Sequence, residues 1–133
     1  MRPTRPLLCC ALLLGAALGP AQAAQWARLP GAKGNQFYVD KASIIKTDKS
    51  RKAWTLHSYG SNQTTPEGRP YRSVKALHLY ACDDRTAVLL AQVFYPEAMG
   101  KGEPVENYKY EKFSPEDIVP DSPDDHALTA ACK

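Results

Sequence analysis

Tyr71-Arg72-Ser73-Val74-Lys75-Ala76-Leu77-His78-Leu79-Tyr80-Ala81-Cys82, then Asp83-Asp84-Arg85, then Thr86-Ala87-Val88-Leu89-Leu90-Ala91-Gln92-Val93-Phe94-Tyr95, is the stretch that decides the fold. Both arms are rich in aromatic and β-branched residues, and a short polar turn joins them. They predict two neighbouring antiparallel strands. Val88-Leu89-Leu90-Ala91 is apolar on both faces, which predicts a central strand covered on each side. Leucine and alanine would also suit a helix, but the flanking residues and the tight turn favour a strand.

Upstream the strand signals continue. Gln25 to Leu29 opens with Trp26 and ends at Pro30-Gly31, and Gln36-Phe37-Tyr38-Val39 has strand composition. Ser43 to Thr47 and Arg51 to Tyr59 flank Asp48-Lys49-Ser50 and read as a hairpin. In its second arm Trp54, Leu56 and Ser58 share one face, and Thr55, His57 and Tyr59 share the other. Gly60 to Pro70 is polar and carries Pro66, Gly68 and Pro70, so it is expected to be a long loop. Downstream, Pro96 to Ser114 reads mostly as loop, with Tyr108, Tyr110 and Phe113 offering an edge strand. Ser122-Pro123-Asp124-Asp125 is a helix start, with serine at the N-cap, proline at the first position and acids facing the dipole. That helix runs through His126, Ala127, Leu128 and Ala131 to Cys132. The expected architecture is α+β, an antiparallel sheet of about five or six strands with a C-terminal helix packed on one face.

The N-terminal segment reads as a signal peptide over residues 1–23. Arg2 and Arg5 precede an apolar run from Leu7 to Leu18, and Ala21-Gln22-Ala23 supplies the small residues for cleavage before Ala24. The run is shorter than the roughly 20 residues a spanning helix needs. The expected product is one domain over 24–133, not membrane-spanning, in the periplasm or secreted. A retained N-terminal anchor is the competing reading. Cleavage removes Cys9 and Cys10 and leaves Cys82 and Cys132 in an oxidising compartment, where they are expected to pair. Such a bridge stabilises by about 4 kcal/mol on the chain-entropy model. Two buried free thiols are the alternative.

Charge constrains the partner. The formal net charge is +3, of which Arg2 and Arg5 supply two units. So small a balance argues against nucleic acid. Basic residues nevertheless concentrate in the first half and acidic ones in the second, so the halves could simply neutralise each other. The functional reading is a basic hairpin face, with Lys41, Lys46, Lys49, Arg51 and Lys52 offered to an acidic partner.

Trp26, Phe37-Tyr38-Val39-Asp40, Ile44 and Tyr71-Arg72-Ser73-Val74-Lys75 leading to Cys82 resemble the surface-adhesin protein E-like family of bacterial envelope proteins. The likeness continues through Met99-Gly100-Lys101-Gly102-Glu103, Val119-Pro120 and Ser122 to Cys132. It rests on the order and spacing of these blocks across the whole domain. The resemblance implies an exported, antiparallel-sheet domain of a Gram-negative-type bacterium that adheres to host or matrix proteins.

No catalytic or cofactor constellation is read from the residues. His57, His78 and His126 lack the paired spacing of a zinc site, no Gly-x-Ser-x-Gly elbow marks a nucleophile, and the Met99–Glu103 loop lacks the context of a phosphate cradle. The expected function is therefore a non-catalytic, exported protein-binding module. Its candidate contacts are Lys49, Arg51 and Lys52, the tyrosines Tyr59 and Tyr71 that bracket the Gly60–Pro70 loop, and Arg72. A matrix protein or acidic polymer is the expected partner. Arg72 also suits a structural ion pair with Asp40. Two other functions compete. One is a periplasmic accessory subunit that docks on an envelope complex or forms a homodimer through an edge strand. The other is a small enzyme or ligand carrier with a deep pocket.

Overall fold

The computed structural model describes residues 23–111 and 114–133, together with Pro3. The expected signal peptide lies outside the described residues, apart from Pro3 and Ala23. Among the described residues eight strands form one antiparallel sheet, β1 (Trp26–Leu29), β2 (Gln36–Asp40), β3 (Ile45–Thr47), β4 (Ser50–Thr64), β5 (Pro70–Ala81), β6 (Thr86–Tyr95), β7 (Glu106–Lys109) and β8 (Glu116–Asp117). The path across the sheet is β1-β2-β4-β5-β6-β7, with β3 beside β4 and β8 beside β6. The one α-helix among the described residues, α1, spans Pro123–Ala131. The α+β class holds; beyond the six strands read from the sequence come β7, offered there only as an edge strand, and β8, which is two residues long.

β2 and β3 lie along the same edge of β4, bent where Lys41–Ser43 makes a single helical turn. Asp40 governs this bend. Its carboxylate accepts from the Ala42 N–H at 3.0 Å and from the Gln25 N–H at 2.7 Å, which ties the start of β1 to the corner. Asp40 is therefore occupied by backbone, and the expected ion pair with Arg72 does not form.

The Gly60–Pro70 stretch departs furthest from expectation. β4 continues through Thr64 and β5 begins at Pro70, so only a tight turn at residues 65–69 is left. Thr65 closes that turn, its N–H donating to the Arg69 carbonyl at 2.7 Å and its hydroxyl accepting from the Arg69 N–H at 2.9 Å. The β4–β5 register runs from Ser50↔Ala81 to Ser58↔Ser73 and resumes at Gln63↔Tyr71, so β4 bulges between Ser58 and Gln63. A bulge frees carbonyls from the ladder and leaves them open to another donor. Arg72 supplies it. Its Nε donates to the Tyr59 carbonyl at 3.1 Å and its Nη2 to the Gly60 carbonyl at 3.2 Å.

A second bulge follows Leu77↔Ala91, because His78 pairs with Leu89 and Leu90 is left over. β6 is not buried on both faces as expected. Val88, Leu89 and Leu90 are each partly exposed, and α1 packs chiefly on β2 and β4. On the helix side Phe37, Val39, Ala53, Tyr80 and Ala87 meet Ala127, Leu128 and Ala131 in the core. Ser122 caps α1 by accepting from the Asp125 N–H, Pro123 occupies the first turn, and Asp124 and Asp125 face the dipole, all as the sequence predicts. Cys82 and Cys132 are bonded, with Cα atoms 5.8 Å apart, and fasten the helix end to the end of β5. Arg85, in the β5–β6 turn, pairs with Asp125 of α1. Among the described residues no helix is long and apolar enough to cross a membrane.

Candidate functional site

The period-2 alternation of β4 turns Thr55, His57 and Tyr59 to the helix side of the sheet. Cross-strand register then aligns their rings with those of neighbouring strands. Phe37 meets His57 edge-on at 5.3 Å, and His57 stacks on Tyr59 at 4.2 Å. Tyr59 meets Tyr71 at 5.8 Å, Tyr71 meets Phe94 at 4.8 Å, and Phe94 meets Tyr108 at 5.9 Å. Tyr108 stacks on Tyr110 at 6.3 Å. The β4 bulge makes the middle of this row, since it lets Tyr59 and Tyr71 meet although their strands are out of simple register. Such ring pairs add roughly 0.5–1.5 kcal/mol each beyond burial. Phe37 and Phe94 are buried, whereas the His57, Tyr59, Tyr71 and Tyr108 side chains remain partly exposed.

α1 covers only one end of this face. Beside it, the segment 116–124 overhangs the sheet and leaves a cleft of about 500 Å³. Its floor holds Phe37, Thr55, His57, Tyr59, Val74, Ala76, His78 and Leu89, and its rim carries Glu116, Asp117 and Asp124. Burial lowers the pKa of His57 and His78 from the ordinary 6.5, against a smaller opposing pull from Asp124. Both imidazoles are therefore neutral at pH 7. Burial and the adjacent Tyr71 push the Tyr59 hydroxyl up to about 12. The hydrogen bond to Glu106 raises Tyr108 to about 12 as well.

The sign of the pH dependence follows. A histidine whose folded pKa lies below its unfolded value favours the native state above pH 6.5 and loses that contribution as pH falls. Thermal melts between pH 7.5 and 5 are expected to show a falling Tm below about pH 6.5. The His57→Gln, His78→Gln variant should lose much of that slope. A wild-type Tm that rises on acidification would contradict the buried, neutral histidines.

The structure does not gather the sequence candidates into one patch. Lys49, Arg51 and Lys52 sit at the β3–β4 hairpin, and Tyr59, Tyr71 and Arg72 lie toward the other end of β4. Arg51 and Tyr59 are eight residues apart on one strand, about 26 Å. Arg51 donates to the carbonyls of Asp48 and Ser50, and Arg72 is spent on the bulge. Phe37, His57, Phe94, Tyr108 and Tyr110 join the two tyrosines without having been read as contacts, because the row depends on register between strands and no single strand reveals it. Among the described residues no three His, Cys, Asp or Glu side chains converge on a metal geometry.

A disulfide-closed antiparallel sheet, capped at one end by a C-terminal helix and lined with stacked rings, defines a small α+β sheet domain. The chain belongs to the surface-adhesin protein E family, whose model matches residues 26–133. Among solved structures it is similar to Haemophilus influenzae protein E, with 21% identity, a TM-score of 0.62, and coverage of 86% of this chain and 90% of that one. A second crystal form of that protein gives a TM-score of 0.64 at 21% identity, over 86% of this chain and 94% of that one. Protein E from non-typeable Haemophilus influenzae gives 0.56 at 21% identity, over 86% and 78%. At that identity the likeness establishes the fold. No curated protein sequence matches the chain.

Proposed function

We propose that the chain is a non-catalytic, exported protein-binding module, active as residues 24–133 after removal of its leader, and that it contacts its partner through the aromatic row. The row of partly exposed rings centred on Tyr59 and Tyr71 carries this reading. Tyrosine gives large contact area at small entropic cost, so an ordered line of such rings suits a protein surface. Membership in an adhesin family supports a host or matrix protein as the partner, and export is consistent with the disulfide.

A second reading places the contact at the basic hairpin, where Lys46 lies across from Arg51 and the same hairpin carries Lys49 and Lys52. The distance between the two surfaces makes them separable. Binding to immobilised matrix proteins is expected to fall on the order of tenfold or more in Tyr59→Ser, Tyr71→Ser, consistent with the loss of two aromatic anchors, and to be unchanged in K49E/R51E/K52E. The reverse pattern, with both variants folded by circular dichroism, would move the contact to the hairpin.

A further inference from the structure

We propose that the cleft between the sheet and the 116–124 segment receives a cationic side chain, an arginine above all, from an extended segment of the partner protein. This inference rests on the binding-module reading and names the chemistry of the partner at one end of the aromatic row.

Charge and shape both point that way. Three carboxylates, Glu116, Asp117 and Asp124, stand on the rim, and no lysine or arginine lines the cleft among the described residues. The two histidines below are neutral, so they leave the negative charge uncompensated. Asp125 is occupied by Arg85 and by the Asp121 N–H. Among the described residues no such bond engages Asp124, whose charge is felt by His57, His78 and Tyr80. The Nδ1 of His78 is buried with no hydrogen-bond partner, another polar group here left unmatched.

A guanidinium fits this surrounding better than an ammonium. It is planar, stacks on aromatic faces and bonds carboxylates through a fork of N–H donors. The floor offers aromatic and imidazole rings, and the rim offers the carboxylates. The rest of the partner segment has a track to follow, because the row crosses five strands from β2 to β7, about 19 Å. An extended peptide of five or six residues has that span.

The test uses the mature chain and a fluorescent tetra-arginine peptide, with tetra-citrulline as the uncharged isostere. Tetra-arginine is expected to bind, and tetra-citrulline to bind on the order of tenfold more weakly or worse, about the effect of one desolvated ion pair. Neutralising the rim by Glu116→Gln, Asp117→Asn, Asp124→Asn should cost a similar factor. Neutralising remote acids by Glu67→Gln, Glu97→Gln, Glu103→Gln should leave the affinity unchanged. Saturation should shift the imidazole proton signals of His57 and His78 in the NMR spectrum and leave those of His126 in place. Equal binding of the two peptides, equal losses in the two triple variants, or shifts confined to His126 would each overturn the proposal. Matrix-protein binding that needs Tyr59 and Tyr71 but not the rim acids would overturn it and leave the binding-module reading standing. Tetra-arginine seated in the cleft without any matrix-protein binding would support it and remove the adhesion reading.

Discussion

Replacing Cys82 and Cys132 together by alanine is expected to lower the unfolding free energy by about 4 kcal/mol. The bridge joins residues 50 apart, and the entropy removed from the unfolded chain grows with the logarithm of that separation. The enclosed segment contains all of β6, β7, β8 and α1, so the denatured state loses freedom over nearly half of the expected domain. For a domain this small, total stability is about 5–15 kcal/mol, and the bridge supplies a large share. Urea denaturation of the native chain and the double variant provides the measurement. A shift in midpoint equivalent to less than about 1 kcal/mol would mean that the bridge merely accompanies the fold.

Leu128→Ala is the second large effect, expected to cost about 3 kcal/mol, within the range of 2–5 for a buried leucine. Leu128 is 2% exposed and sits with Phe37, Val39 and Tyr80 under the helix. A nine-residue helix is marginal on its own, so its order depends on such packing. The two effects should not add. The bridge holds the helix end near the sheet even when its apolar contact is weakened, so Leu128→Ala should loosen the helix more in the cysteine-free chain. Amide hydrogen exchange along residues 123–132 reads this directly. An equal loss of helix protection on Leu128→Ala in the bridged and in the cysteine-free chain would show that the two tethers act independently.

Much of the fold was legible because local chemistry and tertiary need agree. The arms of 71–95 carry strand composition, the turn between them is short, and Ser122-Pro123 announces a helix that the structure starts at Pro123. With Cys9 and Cys10 read as part of a leader, Cys82 and Cys132 left one pairing, and that pairing forms. The Gly60–Thr64 extension of β4 was not legible. It is polar and runs past the core, and what keeps it in the sheet is a bulge whose carbonyls Arg72 satisfies from the neighbouring strand. Arg72, read as a binding or ion-pair group, makes its hydrogen bonds to this backbone, and no local pattern announces that role. β8 was missed because two residues carry no period. Tyr59 and Tyr71 were found as isolated aromatics. Their continuation into a seven-ring row depends on the register of five strands, and the acidic rim depends on where the 116–124 segment crosses the sheet.

The bridge at the end of β5 also decides how the domain would answer a pull. Tension applied beyond Cys132 passes through the sulfurs into β5 and bypasses everything between, so about 170 Å of contour is withheld from stretching. The strain falls instead on the open end of the β4–β5 hairpin, where Ser50 faces Ala81, so the ladder is loaded one pair at a time. The bridge thus limits how far the chain can extend, independently of the force at which the sheet opens.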